Sequence, residues 1–546
     1  MGEANNTSSL PYEASVPEYD VLIIGAGLSG IYTLISMKSL GLRAKVIERG
    51  SDVGGVWYWN RYPGARFDSE SYTYAFTFSK ALLDEWDWKE HFSSQPDTLR
   101  YINFIVDKFG IRPNFQFNTE VESARYQDNT RSWTLTDKKG NTHSSRFLIN
   151  ALGPLTTPTL PDIPGVSDYR GMAYHTSRWP HEEVKFEGKR VGVIGTGATG
   201  IQTIQEVAKT AEALTVFQRT PNWTAPMRNS DISRQEMQSI RDRYPEIHQK
   251  CKSSAMGFMF QSDPRNTFDV CKKEREEFWE HLYSLPGLIK WVGNFKDLYR
   301  NEEANNEFSG FMAKKIRERV NDLVIAEKLI PKNHGFGTRR VPLENGYYEL
   351  FHRPNVKLVD LRETPIARIT ENGIKTTKED IELDIIIYAT GFDAVTGSYE
   401  EIEYYGERGC TLKEKWQDGP RTYLGMATEG FPNMFNILGP HQATGNIPHV
   451  IEYAVEWITK LMKHIRENSV TYINPDKEGE EWWTEHVFEC TKGLLALKVD
   501  SWMTGVNSNR AGKRQRRVIR YFGSNLEFRK RCEEVARDNY RHFVMA

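Results

Sequence analysis

Arg339 and Arg340 place two fixed positive charges side by side in the segment GFGTRRVP, residues 335–342. Two glycines precede them, and the next acidic residue is Glu344. A guanidinium stays charged at every working pH and donates several hydrogen bonds in one plane, so it is suited to bind an anion. Taken alone, an arginine pair is more typical of a solvated surface loop. A binding role requires that other motifs bring an anion to this loop.

Two glycine-rich motifs indicate where phosphate groups bind. GAGLSG at 25–30 follows the apolar run 21–24, GTGATG at 195–200 follows the run 190–194, and a helical pattern follows each motif. In such a strand–turn–helix unit the glycines allow a tight turn, close approach of the backbone to a pyrophosphate, and close packing of helix on strand. The free N–H groups of the helix N-terminus then face the phosphates. The predicted cofactor-binding residues are Gly25, Gly27, Ser29 and Gly30 in the first motif and Gly195, Thr196, Gly197, Ala198, Thr199 and Gly200 in the second.

The residue at the end of each second strand distinguishes the two nucleotides. Glu48 follows the run 44–47, where a carboxylate bonds the hydroxyls of an adenosine ribose and repels a 2′-phosphate. The first site should therefore take FAD or NAD(H). Arg219 and Thr220 stand at the equivalent place of the second unit. Because a guanidinium can hold a phosphate through two hydrogen bonds, the second site should prefer NADP(H).

The spacing of the five cysteines separates flavin chemistry from dithiol chemistry. Cys251 is the first of them, and none forms a C-x-x-C pair. Disulfide reductases share a layout of one FAD and one NADPH site, but they need a redox-active cysteine pair soon after the first unit. We therefore expect flavin and oxygen chemistry in a reducing compartment. No His, Cys and Asp cluster has metal-ligand spacing, so we expect no metal site.

Composition and charge exclude several classes of partner. Of the 546 residues, 39% are hydrophobic and 26% are charged, which is typical of a globular protein. The net charge of -2 argues against a nucleic-acid partner. No apolar run approaches the roughly 18 residues that a membrane span needs, and the polar N-terminus MGEANNTSSLPYEASVPEYD lacks the apolar region of a signal peptide. We predict a cytoplasmic protein without membrane partners.

The elements around the motifs predict an α/β fold with two Rossmann-like dinucleotide-binding domains, one for FAD and one for NADP. Charged segments with helical spacing, such as CKKEREEFWEHL, predict a helical insertion. Strand patterns return in KLVDL and IELDIIIYATGF. The predicted division is 1–158 for the first part of the FAD domain, 159–228 for the first part of the NADP domain, 229–332 for the helical insertion, 333–380 for the second part of the NADP domain and 381–546 for the second part of the FAD domain.

Two further stretches, GGVWYWNRYPGARFD at 54–68 and YRGMAYHTSRWP at 169–180, resemble the type I Baeyer–Villiger monooxygenases, which include the cyclohexanone and phenylacetone monooxygenases. The family fingerprint is F-x-G-x-x-x-H-x-x-x-W-P. Tyr169 replaces its phenylalanine, a change that preserves ring packing. The resemblance extends from about residue 18 to about residue 515, including YATGF and FPNMFNILGP. Related N-oxygenating flavin monooxygenases usually lack the Trp-Pro ending.

The resemblance implies a flavin-dependent monooxygenase that uses NADPH and O2 to convert ketones into esters or lactones. In the family, NADPH reduces FAD, the flavin captures O2 as a C4a-peroxide, and the peroxide attacks the ketone carbonyl. The peroxide anion and the adduct need a fixed positive charge in a dry site. The family's essential arginine falls on Arg340, and the carboxylate that orients it falls on Asp68, which could otherwise be a turn residue after Pro-Gly. Arg339 and Arg219 fall where the family binds the NADP 2′-phosphate.

The resemblance also assigns residues around the cofactors. Trp502 falls on a tryptophan of a mobile loop that contacts the nicotinamide half of NADP, although a packing role is the alternative. His175 falls in the link between the nucleotide domains, where a structural role is favoured over acid–base chemistry. The glycines of GFGTRR are expected to let that loop shift as NADP changes position. The other implied cofactor contacts are Gly55, Val56, Trp57, Arg66, Asp68, Tyr74 and Val121.

Two alternative functions stay open. One is an N- or S-oxygenating flavin monooxygenase, which uses a similar peroxyflavin as an electrophile. The other is a non-catalytic FAD/NADP redox sensor, against which the intact pair of Asp68 and Arg340 argues. HQATGNIP at 441–448 and Pro154 depart from the best-known family members near the expected substrate and nicotinamide. The family's substrate range is therefore not carried over to this chain.

Overall fold

The computed structural model describes residues 16–510 and 512–546. The prediction that the chain lacks a signal peptide falls mainly on residues 1–15 and lies outside the described residues. The strands are β1 (Tyr19–Ile24), β2 (Ala44–Ile47), β3 (Phe115–Gln116), β4 (Val121–Gln127), β5 (Ser132–Asp137), β6 (Thr142–Asn150), β7 (Met172–His175), β8 (Arg190–Ile194), β9 (Ala213–Gln218), β10 (Ala225–Pro226), β11 (Leu343–Glu344), β12 (Val356–Asp360), β13 (Ile366–Thr370), β14 (Gly373–Thr376), β15 (Asp380–Glu382), β16 (Ile385–Tyr388), β17 (Glu403–Tyr405), β18 (Met434–Asn436), β19 (Ile473–Pro475) and β20 (Phe543–Met545). The α-helices are α1 (Leu28–Ser39), α2 (Val56–Trp59), α3 (Lys80–Glu85), α4 (Gln95–Lys108), α5 (Ala198–Thr210), α6 (Arg234–Lys252), α7 (Lys272–Ser284), α8 (Ile289–Val292), α9 (Glu302–Arg319), α10 (Leu323–Leu329), α11 (Gly397–Glu400), α12 (Leu412–Lys415), α13 (Ile447–Glu467), α14 (Lys477–Thr491) and α15 (Asn525–Arg537).

The first glycine motif lies at the carboxyl end of a strand of an eight-stranded sheet. Its order is β17-β4-β5-β6-β1-β2-β3, and β18 also pairs with β6. β1 pairs in parallel with β2 and β6, whereas β4, β5 and β6 pair antiparallel. Val21, Leu22 and Ile23 have no exposed surface, as expected for a strand covered on both faces. The predicted β1–α1–β2 unit is confirmed.

The second glycine motif lies at the carboxyl end of β8 in a five-stranded parallel sheet of order β12-β9-β8-β16-β7. α5 connects β8 to β9, which confirms the second βαβ unit. β16 begins after the predicted domain boundary at residue 381, yet it is an inner strand of this sheet. The boundary therefore has to move past Tyr388, because a strand distant in the chain completes the NADP-type sheet.

Helices α6 to α10 occupy the segment for which an insertion was predicted, and α9 packs against the arginine loop. Phe308 of α9 packs against Trp279 of α7 with ring centroids 5.2 Å apart. Phe308 also meets Phe336 of the arginine loop edge to face at 4.9 Å. Phe336 is fully buried, so the insertion fixes one side of the loop.

The lengths of the helices, the grouping of possible metal ligands and the state of the cysteines are as follows. None of the helices in the described ranges is long and apolar enough to cross a membrane. Within residues 16–510 and 512–546, no group of three or more His, Cys, Asp or Glu side chains is placed to hold a metal ion. All five cysteines are free thiols.

Candidate active site

One cavity of about 1610 Å³ brings the predicted site residues together. Both glycine motifs, the arginine loop and the segment around Trp502 line it. Of the predicted site residues, only Gly30 and Gly200 are absent from its wall. A Cβ on either would collide with the carbonyl oxygen of the first glycine of its own motif. These two glycines therefore allow the helix to pack on its strand, which is the role that the motif predicts.

The first glycine of each motif makes the tight turn. Gly25 has a φ of +106° and Gly195 a φ of +110°, a region that L side chains rarely adopt. A Cβ would lie 2.5 Å from the carbonyl oxygen of Ala151 in the first unit and of Ala389 in the second. The two turns are thus built alike, and each faces the residue that follows the neighbouring parallel strand.

The second glycine of the second motif fits a bound phosphate. A Cβ on Gly197 would meet no protein atom within 4 Å, so the absent side chain leaves open space in the cavity wall. The N-terminus of α5 faces this space with free N–H groups. In the first motif a Cβ on Gly27 would lie 3.4 Å from the Cα of Gly55, so the first cradle is narrower on that side.

Glu48 places a buried carboxylate beside the first glycine motif. Its carboxylate accepts hydrogen bonds from the backbone N–H of Ala26 at 2.8 Å and of Gly50 at 2.6 Å. The side chain is buried and lines the cavity beside the first motif. Each oxygen keeps a free lone pair for a hydroxyl. A fixed negative charge at this place fits an unphosphorylated ribose and opposes a 2′-phosphate.

Arg219 and Arg339 form a positive pair at the second site. Arg219 donates to the Ser508 hydroxyl at 2.8 Å, and the Nε of Arg339 is buried without a hydrogen-bond partner in the described structure. Burial, followed by the positive charge of Arg219, lowers the pKa of Arg339, which Asp500 partly opposes. Neither arginine has an ion-pair partner among the described residues. This pair fits a phosphate, whose charge would compensate both guanidinium groups.

Arg340 is held by Asp68. Its Nη2 donates to both carboxylate oxygens, at 2.7 and 2.6 Å, and its Nη1 donates to the carbonyl of Val341. The guanidinium also lies over the ring of Trp291, 5.5 Å from its centroid. The Asp68 side chain is 15% exposed and the Arg340 side chain 32%, so the pair lies on the cavity wall with one face open. A carboxylate so placed fixes the direction of the guanidinium.

Hydrogen bonds to α9 and close packing at two glycines hold the arginine loop in this conformation. Asn305 of α9 donates to the carbonyl of Phe336 at 2.9 Å, and the N–H of Phe336 donates to the Ser309 hydroxyl at 2.9 Å. Gly335 and Gly337 pack so closely against Asn305 and Tyr299 that a Cβ on either would collide. Both glycines serve close packing in this structure, and the expectation that they let the loop shift stays a prediction.

Aromatic side chains form a wall of the cavity beside the first site. Trp57 donates its indole N–H to the Tyr74 hydroxyl at 3.1 Å, and Phe67 stacks on Tyr74 with centroids 4.4 Å apart. Val121 begins β4 and contributes a buried apolar face. Arg66 lines the cavity, but its guanidinium is paired with Glu90 at 3.1 Å, so it acts chiefly on the protein.

Comparisons with known proteins agree with this geometry. The flavin-binding monooxygenase-like family matches residues 18–249. The chain is 45% identical to 2-oxo-Delta(3)-4,5,5-trimethylcyclopentenylacetyl-CoA monooxygenase of Pseudomonas putida over 98% of this chain and 99% of that protein. It is 38% identical to cyclohexanone 1,2-monooxygenase of Acinetobacter sp, with 96% of each chain covered. A crystal structure of OTEMO in complex with FAD and NADP superposes with a TM-score of 0.93 at 45% identity, covering 97% of this chain and all of that chain.

The chain belongs to the Baeyer–Villiger monooxygenase family.

Similar chains are not uniform in reaction, since phenazine N-monooxygenase of Lysobacter antibioticus is also 38% identical over 96% of this chain and 97% of that protein. Similarity over most of the chain therefore does not by itself decide which group is oxygenated. The oxygenated group has to be argued from the site itself.

Two family positions, Trp502 and His175, have contacts that limit their roles. Trp502 is half-buried in a short helix and packs against Val395 and Ile519 while lining the cavity. His175 ends β7, and its Nδ1 accepts from the N–H of Ser177 at 3.1 Å. Burial, followed by the charge of Arg178, lowers the pKa of His175 to about 4. The ring is neutral at working pH and braces the turn, which agrees with the predicted structural role.

Two cavity residues, Trp291 and Arg520, were not found by sequence reasoning. The indole N–H of Trp291 is buried without a partner in the part of the chain that the structure describes. Arg520 lines the same cavity and follows the basic run KRQRR, which makes it look like one more surface charge in the sequence. Only long-range folding distinguishes it from its neighbours.

Proposed function

We propose that this chain uses FAD, NADPH and O2 to convert ketones into esters or lactones. The observation that carries the proposal is Arg340, held by Asp68 on the wall of a cavity that both nucleotide motifs share. When bound, FAD that NADPH has reduced would supply the electrons that activate O2, and O2 would supply the oxygen atom. Oxygen added to a carbonyl carbon leaves negative charge on the carbonyl oxygen, and a guanidinium that is already oriented stabilises such charge without reorganisation.

The two nucleotide sites differ in charge, and this supports the cofactor assignment. We assign FAD to the first site, where Glu48 offers a carboxylate to a ribose and the wall of Trp57, Phe67 and Tyr74 covers one side. We assign NADPH to the second site, where Arg219 and Arg339 would bind its 2′-phosphate. Further proposed contacts are Gly25, Gly27, Ser29, Gly55, Val56, Val121, Gly195, Thr196, Gly197, Ala198, Thr199, Thr220 and Trp502.

The proposal extends to domain division and place of action. The eight-stranded sheet would be the core of the FAD domain and the five-stranded sheet that of the NADP domain, with α6 to α10 as the insertion, of which α8 and α9 contact Arg340 or its loop. Five free cysteines support a reducing, cytoplasmic location. A small ketone and O2 are the proposed reaction partners.

A product screen tests the proposal. FAD-loaded protein is given NADPH, air and a panel of linear, cyclic and aromatic ketones, together with amines and sulfides, and products are identified by mass. We expect esters or lactones, with one oxygen atom from O2 in each. Arg340→Ala should retain FAD but lose ester formation, while Arg170→Ala, which removes an exposed arginine paired with Glu371, should not. Oxygenation of amines or sulfides alone would identify the N- or S-oxygenating alternative. Bound FAD with no substrate-dependent NADPH consumption under air would identify a redox sensor.

A further inference from the structure

Arg520 lies on the wall of the same cavity as Arg340. Its Nη2 donates to the Thr444 hydroxyl at 2.7 Å, and its guanidinium lies 4.9 Å from the centroid of the Phe522 ring. Its Nε is buried and has no hydrogen-bond partner in the described structure. No aspartate or glutamate of the described residues forms an ion pair with it, whereas Arg340 has Asp68. Arg520 is therefore a partly buried guanidinium that, among the described residues, has no counter-charge.

The environment of Arg520 makes this lone charge costly. Burial, followed by the positive charge of Arg340, lowers the pKa of Arg520 to about 10, so the side chain still carries its charge at neutral pH. Removing a charge from water without a partner is unfavourable, and a folded protein retains such a group only where something compensates it. The carboxylate of Asp68 is already bound by Arg340 and, among the described residues, forms no ion pair with Arg520.

The phosphate proposed for the second site has its own arginine pair, separate from Arg520. The arginines that fit the NADP phosphate are Arg219 and Arg339, and the charges that act on Arg339 are those of Arg219 and Asp500. Arg340 is the charge that acts on Arg520. The cavity thus has two separate positive pairs, one at the second nucleotide motif and one where the carbonyl group would be oxidised. Thr444, which orients Arg520, belongs to the segment 441–448 that departs from the best-known family members.

We propose that Arg520 binds a carboxylate carried by the ketone itself, so that this chain takes keto acids in preference to neutral ketones of the same shape. This inference rests on the proposed function. The ketone oxygen would lie near Arg340 and the carboxylate near Arg520, where a planar guanidinium can donate two parallel hydrogen bonds. The buried indole N–H of Trp291 is a third donor on the same wall.

The test compares each keto acid with its own methyl ester, which keeps the shape and removes the charge. The pairs are 4-oxocyclohexanecarboxylate and 5-oxohexanoate with their methyl esters, so that ring and chain spacings are both sampled. The FAD-loaded wild type, Arg520→Gln and Arg520→Lys are assayed for kcat/KM, with products identified by mass. Arg517→Gln is the matched control, because this arginine lies three residues away and outside the cavity wall.

We expect the wild type to prefer each acid to its ester. Arg520→Gln should lower the acid-to-ester ratio of kcat/KM by about 10- to 100-fold, as expected for the loss of a charge-assisted hydrogen bond. The KM for NADPH and kcat/KM for the esters should stay within about twofold, and Arg520→Lys should retain part of the preference. In NADP-loaded oxidised protein, titration of flavin absorbance with the acids should show the same loss of affinity without turnover.

Three outcomes would overturn the inference. Equal losses for acids and esters would mean that Arg520 acts on the reaction common to both. A lower Tm or loss of FAD in Arg520→Gln would mark a structural residue, since removal of an unpaired charge should leave Tm unchanged or higher. A wild type that oxidises the esters and does not favour the acids would refute the keto-acid preference and leave the proposed function intact. If the wild type oxidises neither acid nor ester, the proposed function fails, and weak flavin titrations with the acids would then separately refute binding at Arg520.

Discussion

Replacing Arg339 with alanine should separate NADPH from NADH. Arg339 lines the second site with a buried Nε that has no hydrogen-bond partner in the described structure, and the positive charge that acts on it is that of Arg219. A 2′-phosphate between these groups would accept at least one charge-assisted hydrogen bond from Arg339, worth about 1.5–3 kcal/mol. Its loss corresponds to a roughly 10- to 150-fold rise in the KM and Kd for NADPH. NADH has no 2′-phosphate, so its KM should change by less than about twofold.

Without bound nucleotide, the same replacement should not destabilise the protein. Arg339 is held next to Arg219 without an ion-pair partner in the described structure, so alanine removes a repulsion that the empty site has to bear. The Tm without nucleotide should therefore stay the same or rise, while the stabilisation by saturating NADP should shrink. Arg339→Lys should fall between wild type and alanine, because a lysine keeps the charge but not the planar fork.

The assay measures KM for NADPH and NADH, and Kd for NADP and NAD by calorimetry, at two ionic strengths. Binding of NADPH should weaken with salt more than binding of NADH in the wild type, and this difference should decrease in the variant. Arg362→Ala is the control, because Arg362 is a surface arginine paired with Asp360 at 2.5 Å. Equal losses for NADPH and NADH in Arg339→Ala would refute the phosphate assignment.

Three other predictions concern catalysis, the phosphate cradle and pH. Arg340→Ala should keep FAD and some NADPH oxidation. The ester formed per NADPH should fall at least about 100-fold, which corresponds to about 2.7 kcal/mol of lost charge stabilisation. An unchanged yield would mean that Arg340 does not stabilise the negative charge on the substrate. Gly197→Ala should raise the KM for NADPH but leave Tm unchanged, because the added Cβ meets no protein atom within 4 Å. The control is Gly310→Ala in α9, which should only stabilise the helix, by up to about 1 kcal/mol. An unchanged KM for NADPH in Gly197→Ala would mean that the phosphate binds elsewhere. Burial lowers the pKa of His248 to about 4 and of His449 to about 3, so below pH 6.5 the unfolded chain binds protons that the native chain does not. The free energy of unfolding should therefore fall as the pH drops from 6.5 towards 4. His449→Gln should make the decline of Tm over this range less steep. An unchanged slope in this variant would mean that His449 does not have a lowered pKa in the folded protein.

The nucleotide-binding units could be predicted from sequence because their signals are local. Each unit needs an apolar strand, three glycines and a helix within about thirty residues. The positive φ values of Gly25 and Gly195 confirm the turns that the motifs require. The positions of Glu48 and Arg219 beside the two motifs could be predicted in the same way, since each directly follows the second strand of its unit.

Elements that join distant parts of the chain were harder to place. β16 inserts between β7 and β8, although it lies nearly two hundred residues after β8 in sequence, and its apolar residues would suit either sheet. A parallel strand carries no turn signal that names its partner. For the same reason Arg520 could not be separated from the basic run before it, because only the approach of Thr444 and Arg340 makes it a cavity residue.

The adjacent arginines act in two different electrostatic settings. Arg339 faces Arg219 and has no carboxylate within ion-pair distance among the described residues, so it is ready for a permanent anion such as a phosphate. Arg340 is already held by Asp68, so its charge is partly compensated before any substrate enters. A transient anion needs a positive charge that is oriented in advance and is not neutralised by a tightly bound ligand. The insertion makes this division possible, since Asn305 and Ser309 of α9 fix the loop from which both side chains project.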